Sequence, residues 1–320
     1  MHSVAIGESK QGRNFAHDSP REFGLSLVLA TLGRSTEIER FFGSIRECTS
    51  WPVEIIVVDQ NDDDCLMGIL ESGRKLGLPI HHLRIAPRKG LSLARNEGLR
   101  IARYSVVGFP DDDCWYESGV IMRVIQEYMH DENIDGLVAR WLDRHAHHDQ
   151  PQKLNPSQQR RFSGVPIASI CLFLSTESVF AVGGFDEHLG VGTWAGSSEE
   201  TDLVFRMMDL GGRFVYCPDI LVRHHWAGTA VTVTGKLSSI VGGAMLRARG
   251  TGVMYAKHAL DNTVVLKGLV APVVKIFGFS GGLRGIAYWL GTALGRWQGF
   301  ARWRRLRTLS SSAVTTGNRS

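Results

Sequence analysis

The chain has 320 residues, 43% of them hydrophobic and 21% charged, the composition of a soluble globular protein with room for one large α/β domain and an appendage. Its five cysteines form no Cys-x-x-Cys pair, so neither a disulfide framework nor a short zinc motif is expected, and a reduced, cytoplasmic setting is favoured. The net charge of +4 combines an acidic body with a basic C-terminal segment.

The N-terminal part of the chain alternates strand and helix patterns. Residues 1–23 are polar and lack the apolar core of a signal peptide, so we expect them to be disordered or loosely ordered. Apolar runs predict strands at 25–31, 53–58, 80–85 and 106–109, and helical spacing of apolar residues predicts helices at 36–45, 91–103 and 119–130. This alternation predicts a mostly parallel sheet with helices on both faces, with the polar strand ends on the rim where such sheets bind ligands.

Three adjacent carboxylates, Asp111, Asp112 and Asp113, follow the fourth predicted strand. Like charges at this spacing repel one another unless a cation lies among them. If the chain stays extended, Asp111 and Asp113 project to the same side, and two carboxylates on one side suit Mg²⁺ or Mn²⁺. A solvated acidic turn is the alternative. A second acidic run at 62–64 has no strand directly before it and is interpreted as a solvated loop.

The middle of the chain is less regular. Residues 140–165, rich in His, Gln, Pro and Arg, predict a long loop whose histidines are surface residues. A strand is predicted at 167–174, a glycine-rich turn at 182–186, a helix at 200–210 and short strands at 214–217 and 220–222. Glu199, Glu200 and Asp202 lie at the start of the helix, where the helix dipole favours negative charge, so capping is one interpretation of these carboxylates.

The C-terminal segment is basic throughout. Residues 262–320 contain nine basic and no acidic residues, which leaves a charge of −5 on residues 1–261. The longest uncharged stretch within 263–300 has eleven residues, whereas a helix that spans a membrane needs about 20. Trp289, Trp297 and Trp303 among these basic residues predict amphipathic helices on an anionic membrane surface. A packed helical appendage is the alternative, and nucleic acid is not expected because no binding motif accompanies the charge.

Four motifs occur in order along the chain. Asp59 follows the second strand, the segment 90–96 begins a helix, and the acidic triplet follows a later strand. The fourth motif is the sequence Ser-Glu-Glu-Thr-Asp-Leu at 198–203, with Arg206. This order and spacing resembles the family 2 glycosyltransferases over roughly residues 24–228. The resemblance implies the GT-A fold of nucleotide-diphospho-sugar transferases, a Rossmann-like, mostly parallel sheet with helices on both faces. We therefore expect a loosely ordered segment at 1–23, a GT-A domain at 24–228, a helical, membrane-associating region at 229–308 and a flexible tail at 309–320.

The resemblance also implies roles for individual residues. Thr31 and Arg34 would lie near the nucleotide base and phosphates, Asp59 would accept a hydrogen bond from the base, and Arg95 and Asn96 would lie near the ribose and diphosphate. Asp111 and Asp113 match the family's Asp-x-Asp pair, which contacts the ribose and a divalent metal, and Asp112 between them belongs to the same substrate-binding group. His224 or His225 would complete the metal or phosphate shell.

Glu200 stands where the family usually has the Asp of a Glu-Asp pair, the catalytic base. Glu199 is adjacent and remains the alternative, and Asp202 is expected to contact substrate. A base that is not bound to the metal, opposite the leaving group, predicts single displacement with inversion.

The resemblance predicts an inverting, Mg²⁺- or Mn²⁺-dependent glycosyltransferase. The donor would be a nucleotide sugar, most often UDP-linked in this family, and the acceptor a hydroxyl of a glycan or lipid-linked molecule in cell-surface polysaccharide or glycolipid synthesis. The protein would be cytoplasmic and peripheral on the cytoplasmic face of a membrane. A polyprenyl-phosphate sugar synthase and a non-catalytic nucleotide-sugar- or glycan-binding protein of the same fold remain alternatives. The oligomeric state is not predicted.

Overall fold

The computed structural model describes residues 21–33, 36–46, 51–143, 149–224, 236–278 and 282–316, with side chains described up to residue 306. The strands are β1 Glu22–Thr31, β2 Val53–Asp59, β3 Ile80–Arg84, β4 Tyr104–Gly108, β5 Cys114–Tyr116, β6 Gly136–Trp141, β7 Gln152–Lys153, β8 Leu172–Ser175 and β9 Phe214–His224. They form one sheet in the order β3-β2-β1-β4-β8-β6-β9-β5, with β7 paired to β9.

The first half of the sheet, β3-β2-β1-β4, is parallel as predicted. Every residue of β2 is buried, which is expected of a parallel strand that is covered by helices on both faces. The second half is mixed, because β8 runs antiparallel to both β4 and β6 while β9 runs parallel to β6 and antiparallel to β5. The description "mostly parallel" therefore applies only to the first half.

The helices are α1 Thr36–Ser44, α2 Met67–Lys75, α3 Leu91–Ile101, α4 Val120–His130, α5 Pro156–Arg160, α6 Thr176–Ala181, α7 Glu199–Asp209, α8 Leu237–Lys257, α9 Asn262–Gly278 and α10 Gly282–Thr316. α3 packs closely on the sheet through Gly98, where an added Cβ would lie 2.4 Å from Cγ1 of Val28. The absence of a side chain at this position lets α3 lie close to β1 and β2.

Several short elements were not predicted. The expected loop at 140–165 contains β7 and α5, and its residues 144–148, with His145, His147 and His148, lie outside the described part of the chain. β5 has three residues, too few to show any hydrophobic period. The two strands predicted at 214–217 and 220–222 form one strand, β9.

The C-terminal helices form an appendage, as predicted, and α8 and α10 pack along a row of glycines. A Cβ added at Gly291, Gly295 or Gly299 would lie 2.1–2.3 Å from a backbone carbonyl oxygen of α8. Their spacing of four residues places them on one helix face, so the two backbones approach each other over two turns. Within the residues that the structure describes, no helix combines the length and the apolar character needed to cross a bilayer. α10 continues to Thr316, past the boundary expected at 308.

Candidate active site

A cavity of about 300 Å³ opens at the C-terminal ends of β1, β2 and β4. In sheets of this kind ligands bind at this rim, because the loops that follow parallel strands meet there. The cavity, called here the rim cleft, is lined by Ala30, Leu32, Gln60, Lys89, Gly90, Leu91, Asp111, Asp112, Asp113, Val191, Gly192 and His224.

The acidic triplet lies in the rim cleft. Asp111 forms an isolated parallel bridge with Ala30 at the end of β1, so the chain is still extended where it leaves the sheet. Asp112 is buried, and its carboxylate accepts a hydrogen bond from the Thr31 hydroxyl at 2.8 Å. Asp111, Asp112 and Asp113 all line the cleft. The chain turns at Asp112 and Asp113, where the Cys114 nitrogen donates to the Asp111 backbone oxygen at 3.2 Å, so the extended chain assumed for the predicted alternation ends at Asp111.

Asp111, Asp113 and His224 form a group that can hold a metal ion, with one ligand atom of each within 4.8 Å of the others. Pairing of β5 with β9 places Cys114 opposite His224, and Nε2 of His224 lies 2.9 Å from the Asp113 carboxylate. Burial and the nearby carboxylates of Asp113 and Glu199 raise the pKa of Asp111, although Arg95 opposes this effect. Crowded carboxylates with a raised pKa fit a divalent cation, since its charge would relieve their repulsion. Two carboxylates and an imidazole suit Mn²⁺ or Mg²⁺, and the nitrogen ligand favours Mn²⁺.

Arg95 connects the metal group to the start of α7. Its side chain is only 1% exposed, and its guanidinium donates to Asp111 at 2.9 Å, to Glu199 at 3.0 Å and to the Ser169 hydroxyl at 2.8 Å. A buried guanidinium held this way fixes the orientation of both carboxylates. The contact with ribose and diphosphate expected for Arg95 is not supported by this placement, because its donors are directed at protein acceptors.

Asn96 is also buried and bonded to protein. Its side-chain amide donates to the backbone oxygen of Phe185 at 2.9 Å, and its amide oxygen accepts from the Phe185 backbone nitrogen at 2.9 Å. Asn96 therefore holds the glycine-rich turn against α3, and the expected contact with the donor is not supported.

Asp59 organises the loop that follows β2. One carboxylate oxygen accepts from the backbone and side-chain nitrogens of Asn61, and the other from His82 and Arg84. Burial opposes ionisation, but these hydrogen bonds outweigh it and lower the pKa of Asp59. Each oxygen thus accepts two bonds, which uses the usual capacity of a carboxylate. The contact with the base stays a prediction, and in this structure Asp59 holds the loop after β2 against β3.

Glu199 and Glu200 differ in their surroundings although they are adjacent. Glu199 is buried and paired with Arg95, whereas Glu200 is half-buried and forms no ion pair within the described residues. Burial and the charge of Glu199 raise the pKa of Glu200 to about 8. Ser198, which precedes them, has a φ of 74°, and non-glycine residues in this left-handed region often mark functional sites. Of the two predicted candidates, Glu200 is the better placed to take up a proton.

Asp202 lies in a different environment from the one predicted. It is fully buried and pairs with Arg206 at 2.8 Å, Lys257 at 2.7 Å and His258 at 2.9 Å. Burial opposes ionisation, but His258, Arg206 and Lys257 outweigh it and lower the pKa of Asp202. These bonds join α7 to the end of α8, so the placement favours a structural role over the predicted contact with substrate.

Two predicted residues cannot be located in the structure, and two unpredicted residues take part in the site. Arg34 and His225 lie outside the described part of the chain. Gln60 was not predicted, yet its side-chain oxygen accepts from the Gly90 nitrogen at 2.7 Å and holds the start of α3 against the loop after β2. Ser169 bonds to Arg95. The adjacency of Gln60 to Asp59 was the available signal, whereas nothing near Ser169 in the sequence pointed to it.

Comparison with known proteins shows which family part of the chain resembles. Residues 26–167 match the family model for glycosyl transferase family 2. A segment of 101 residues, 30% of this chain, is 29% identical to the uncharacterized glycosyltransferase YfnE of Bacillus subtilis (strain 168). That match spans only 25% of the relative's length.

Solved structures show the same fold. Residues 1–349 of S. aureus TarS superpose with a TM-score of 0.53 and 15% identity, over 81% of this chain and 73% of that one. The mannosyltransferase PcManGT from Pyrobaculum calidifontis, in complex with GDP-Man and Mn²⁺, gives a TM-score of 0.53 and 14% identity over 93% of this chain and 84% of that one. The predicted GT-A fold is thereby confirmed, and the predicted resemblance to glycosyl transferase family 2 is confirmed over residues 26–167.

Proposed function

We propose that this protein transfers a sugar from a nucleoside diphosphate donor, UDP-linked in the first instance, to an acceptor hydroxyl with inversion of configuration, assisted by Mn²⁺ or Mg²⁺. The observation that carries this proposal is the approach of Asp111, Asp113 and His224 to within 4.8 Å of one another in the rim cleft. The neighbouring structures support it, since TarS has been solved with UDP-GlcNAc and PcManGT with GDP-Man and Mn²⁺.

The cation would supply charge neutralisation at the diphosphate oxygens as the sugar leaves. The residues of this chain would do the rest. Asp111 and Asp113, with His224, would hold the cation, and Arg95 would keep Asp111 and Glu199 in place. Lys89, which also lines the rim cleft, would attract the anionic donor.

Glu200 would act as the base. As the acceptor oxygen forms its bond to the anomeric carbon, the bond from that carbon to the diphosphate oxygen breaks, and its electron pair leaves with the nucleoside diphosphate. The acceptor proton passes to the Glu200 carboxylate. The raised pKa of Glu200 favours this transfer, because a base is most effective when its pKa lies near the working pH. One attack on the face opposite the leaving group gives inversion.

The proposed cellular place is the cytoplasmic face of a membrane. α9 and α10 expose apolar side chains at helical spacing, Leu266, Val270, Val273, Val274 and Phe277 on α9 and Leu283, Ile286, Leu290, Leu294 and Trp297 on α10. Phe277 is 87% exposed. Lys267, Lys275 and Arg284 lie among them without any acidic residue, a combination that favours an anionic lipid surface. A Phe277→Ser, Leu283→Ser variant should lose binding to vesicles containing phosphatidylglycerol, whereas Leu210→Ser, at an exposed site on the body, should not. Equal binding by both variants would refute the membrane role.

The transfer function is tested first by ligand-induced thermal stabilisation. The purified protein is heated with UDP, GDP, dTDP or CMP, with and without Mn²⁺. A ligand that binds only the folded state stabilises it by about 2.7 kcal/mol at a hundredfold excess over its dissociation constant. We expect a shift that needs Mn²⁺ with one nucleotide, and its loss in Asp113→Asn.

Asp64→Asn is the matched control, because Asp64 belongs to the second acidic run and its side chain is 79% exposed. A loss of the shift in Asp64→Asn alone would move the metal to 62–64. No shift with any nucleotide would refute the proposal. Glu200→Gln should retain the shift and lose sugar transfer, and equal turnover by Glu200→Gln and the unaltered protein would exclude Glu200 as the base.

A further inference from the structure

A second, larger cavity of about 920 Å³ lies between the body and the C-terminal helices. We call it the appendage cavity. The segment after α5, the start of α7 and the helices α8, α9 and α10 all contribute to its walls. Ser198 and Thr201 line it, and these two residues bracket Glu199 and Glu200 along the chain. The start of α7, which carries the proposed base, therefore borders the appendage cavity, and Glu200 is near enough to Asp111 for the charge of Asp111 to raise the pKa of Glu200.

The charged side chains of the appendage cavity are mostly basic. Arg161, Lys267 and Arg296 line it, against a single acid, Asp261. Asp261 is engaged locally, since its carboxylate accepts from the backbone nitrogen and the hydroxyl of Thr263 at 2.8 Å. Neither Arg161 nor Lys267 forms an ion pair with any residue in the described ranges. The charge of Asp261 also interacts with Arg161 and Lys267, so among the described residues one of the three positive charges is offset and the cavity keeps an excess of positive charge.

Arg296 adds a donor beside the cavity. Its Nη1 donates to the backbone oxygen of Gly268 at 2.5 Å, but its buried Nε has no hydrogen-bond partner among the described residues. A buried donor without a partner costs free energy that an incoming acceptor oxygen can recover. A phosphate oxygen is the acceptor that a guanidinium matches well in both charge and geometry.

Aromatic side chains form part of the same wall. Phe162 is 48% exposed, and its φ of 54° lies in the left-handed region, which is costly for a bulky residue. Its ring lies edge-on to that of Tyr255, with centroids 5.9 Å apart. An exposed aromatic ring held against the backbone preference offers an apolar platform of the kind that packs against the carbon face of a sugar or polyol.

We propose that the appendage cavity binds the acceptor and that this acceptor carries a phosphate group, which Arg161, Lys267 and Arg296 hold while the acceptor hydroxyl reaches Glu200. The inference rests on the proposed transferase function and adds the chemical class of the acceptor. A phosphorylated glycan or polyol and a lipid-linked sugar phosphate share this chemistry. The three basic residues come from α9, α10 and the end of α5, so the site exists only where the appendage meets the body.

The test measures binding and turnover separately, on the full chain. Glucose 6-phosphate and glucose are titrated calorimetrically without metal or donor, and nucleotide release from the donor identified by thermal stabilisation is followed with each as acceptor. We expect glucose 6-phosphate to bind and to accelerate release, and glucose to do neither at the same concentration. The double variant Arg161→Gln, Lys267→Gln should bind glucose 6-phosphate about tenfold more weakly, because two charge-assisted contacts are lost, with the Mn²⁺-dependent nucleotide shift unchanged.

Lys275→Gln is the control for charge, because Lys275 lies on α9 but does not line the cavity. Phe162→Gly tests the platform without threatening the fold, since glycine accepts a positive φ, and it should weaken binding of the sugar phosphate. Equal binding of glucose and glucose 6-phosphate, or equal loss in Lys275→Gln and the double variant, would overturn the proposal while leaving the transferase function intact. Absence of a nucleotide shift would instead refute the function.

A further probe identifies the source of the phosphate. Farnesyl phosphate in detergent micelles presents the same charged group on a lipid. Its binding to the full chain is titrated in the same way as that of glucose 6-phosphate. Farnesyl phosphate that binds more tightly than glucose 6-phosphate, with this binding lost in the double variant, indicates a lipid-linked acceptor. Tighter binding of glucose 6-phosphate, also lost in the double variant, indicates a soluble phosphorylated glycan, and binding that survives in the double variant contradicts the proposed site.

Discussion

Replacing Arg95 by methionine should destabilise the protein far more than an ordinary loss of an ion pair. The guanidinium is 1% exposed and lies between two carboxylates, Asp111 and Glu199, which come from different parts of the fold. Methionine fills much of the same volume but leaves both acids without their cation. Breaking a buried pair by removing one partner costs about 3–5 kcal/mol, because the charge that remains is uncompensated.

The assay is urea unfolding of Arg95→Met beside Arg100→Met. Arg100 is on the same helix and pairs with Glu97, but its side chain is 24% exposed, and pairs near the surface contribute about 0–1 kcal/mol. The comparison removes the effect of losing an arginine from α3. A loss in Arg95→Met no larger than that in Arg100→Met would refute the view that Arg95 neutralises the centre of the site.

The pH dependence of the same variant provides a second check. The pKa of Asp111 is already raised in the folded protein by burial, and Arg95 opposes this rise, so without Arg95 the pKa of Asp111 should rise further above its value in the unfolded chain. A carboxyl group whose pKa is raised in the folded state destabilises the folded protein when it ionises. The loss of unfolding free energy in Arg95→Met should therefore become smaller as the pH is lowered towards 5. Adding Glu199→Gln to Arg95→Met should restore part of the lost stability, because one of the two unpaired charges is then removed.

Three further predictions concern the appendage, α7 and the base. Gly295→Ala should lower the free energy of unfolding in urea by about 1–3 kcal/mol, because its Cβ would lie 2.3 Å from the Met245 backbone oxygen. The control Gly242→Ala should raise the free energy of unfolding by up to about 1 kcal/mol, because its Cβ would meet nothing within 4 Å. A gain of stability in both variants would contradict the close packing of α8 on α10. Asp202 has a lowered pKa, so the stability that it contributes is present above about pH 4 and is lost as the pH falls below that value. The free energy of unfolding of Asp202→Asn should therefore depend less steeply on pH in acid than that of the unaltered protein. An unchanged dependence on pH would exclude this ion-pair network. Because the pKa of Glu200 is raised to about 8, kcat should rise with pH up to that region as the base ionises, and a flat pH–rate profile would contradict this assignment.

The parts of the site that follow directly from a strand could be predicted from the sequence. A buried apolar run that ends in three carboxylates carries two pieces of local information, the strand and the alternation of its side chains. The structure has all three aspartates in the rim cleft, with Asp112 also bonded to Thr31, and Asp111 and Asp113 come together through a turn rather than through an extended chain. The parallel half of the sheet was predictable for the same reason, since buried parallel strands are apolar throughout.

The partners of those residues could not be predicted, because their contacts join distant parts of the chain. The resemblance named His224 or His225 for the metal shell, but the pairing of β5 with β9 that brings His224 to Asp113 could not be predicted, because β5 is too short to leave a pattern. Asp59 was expected at the donor base, yet its oxygens accept bonds from its own loop and from β3. The order of motifs located these residues on the rim but carried no information on which donors they would meet.

The sequence by itself determined the fold class and the acidic rim, because periodicity, strand ends and adjacent like charges are local properties of the chain. Only the tertiary structure decided that Arg95 lies between Asp111 and Glu199, that Lys257 reaches Asp202, and that the appendage forms a basic cavity beside α7. Each of these depends on burial, and burial is set by packing among elements far apart in sequence. An ion pair or a cavity wall of this kind has no signature in either partner's own neighbourhood.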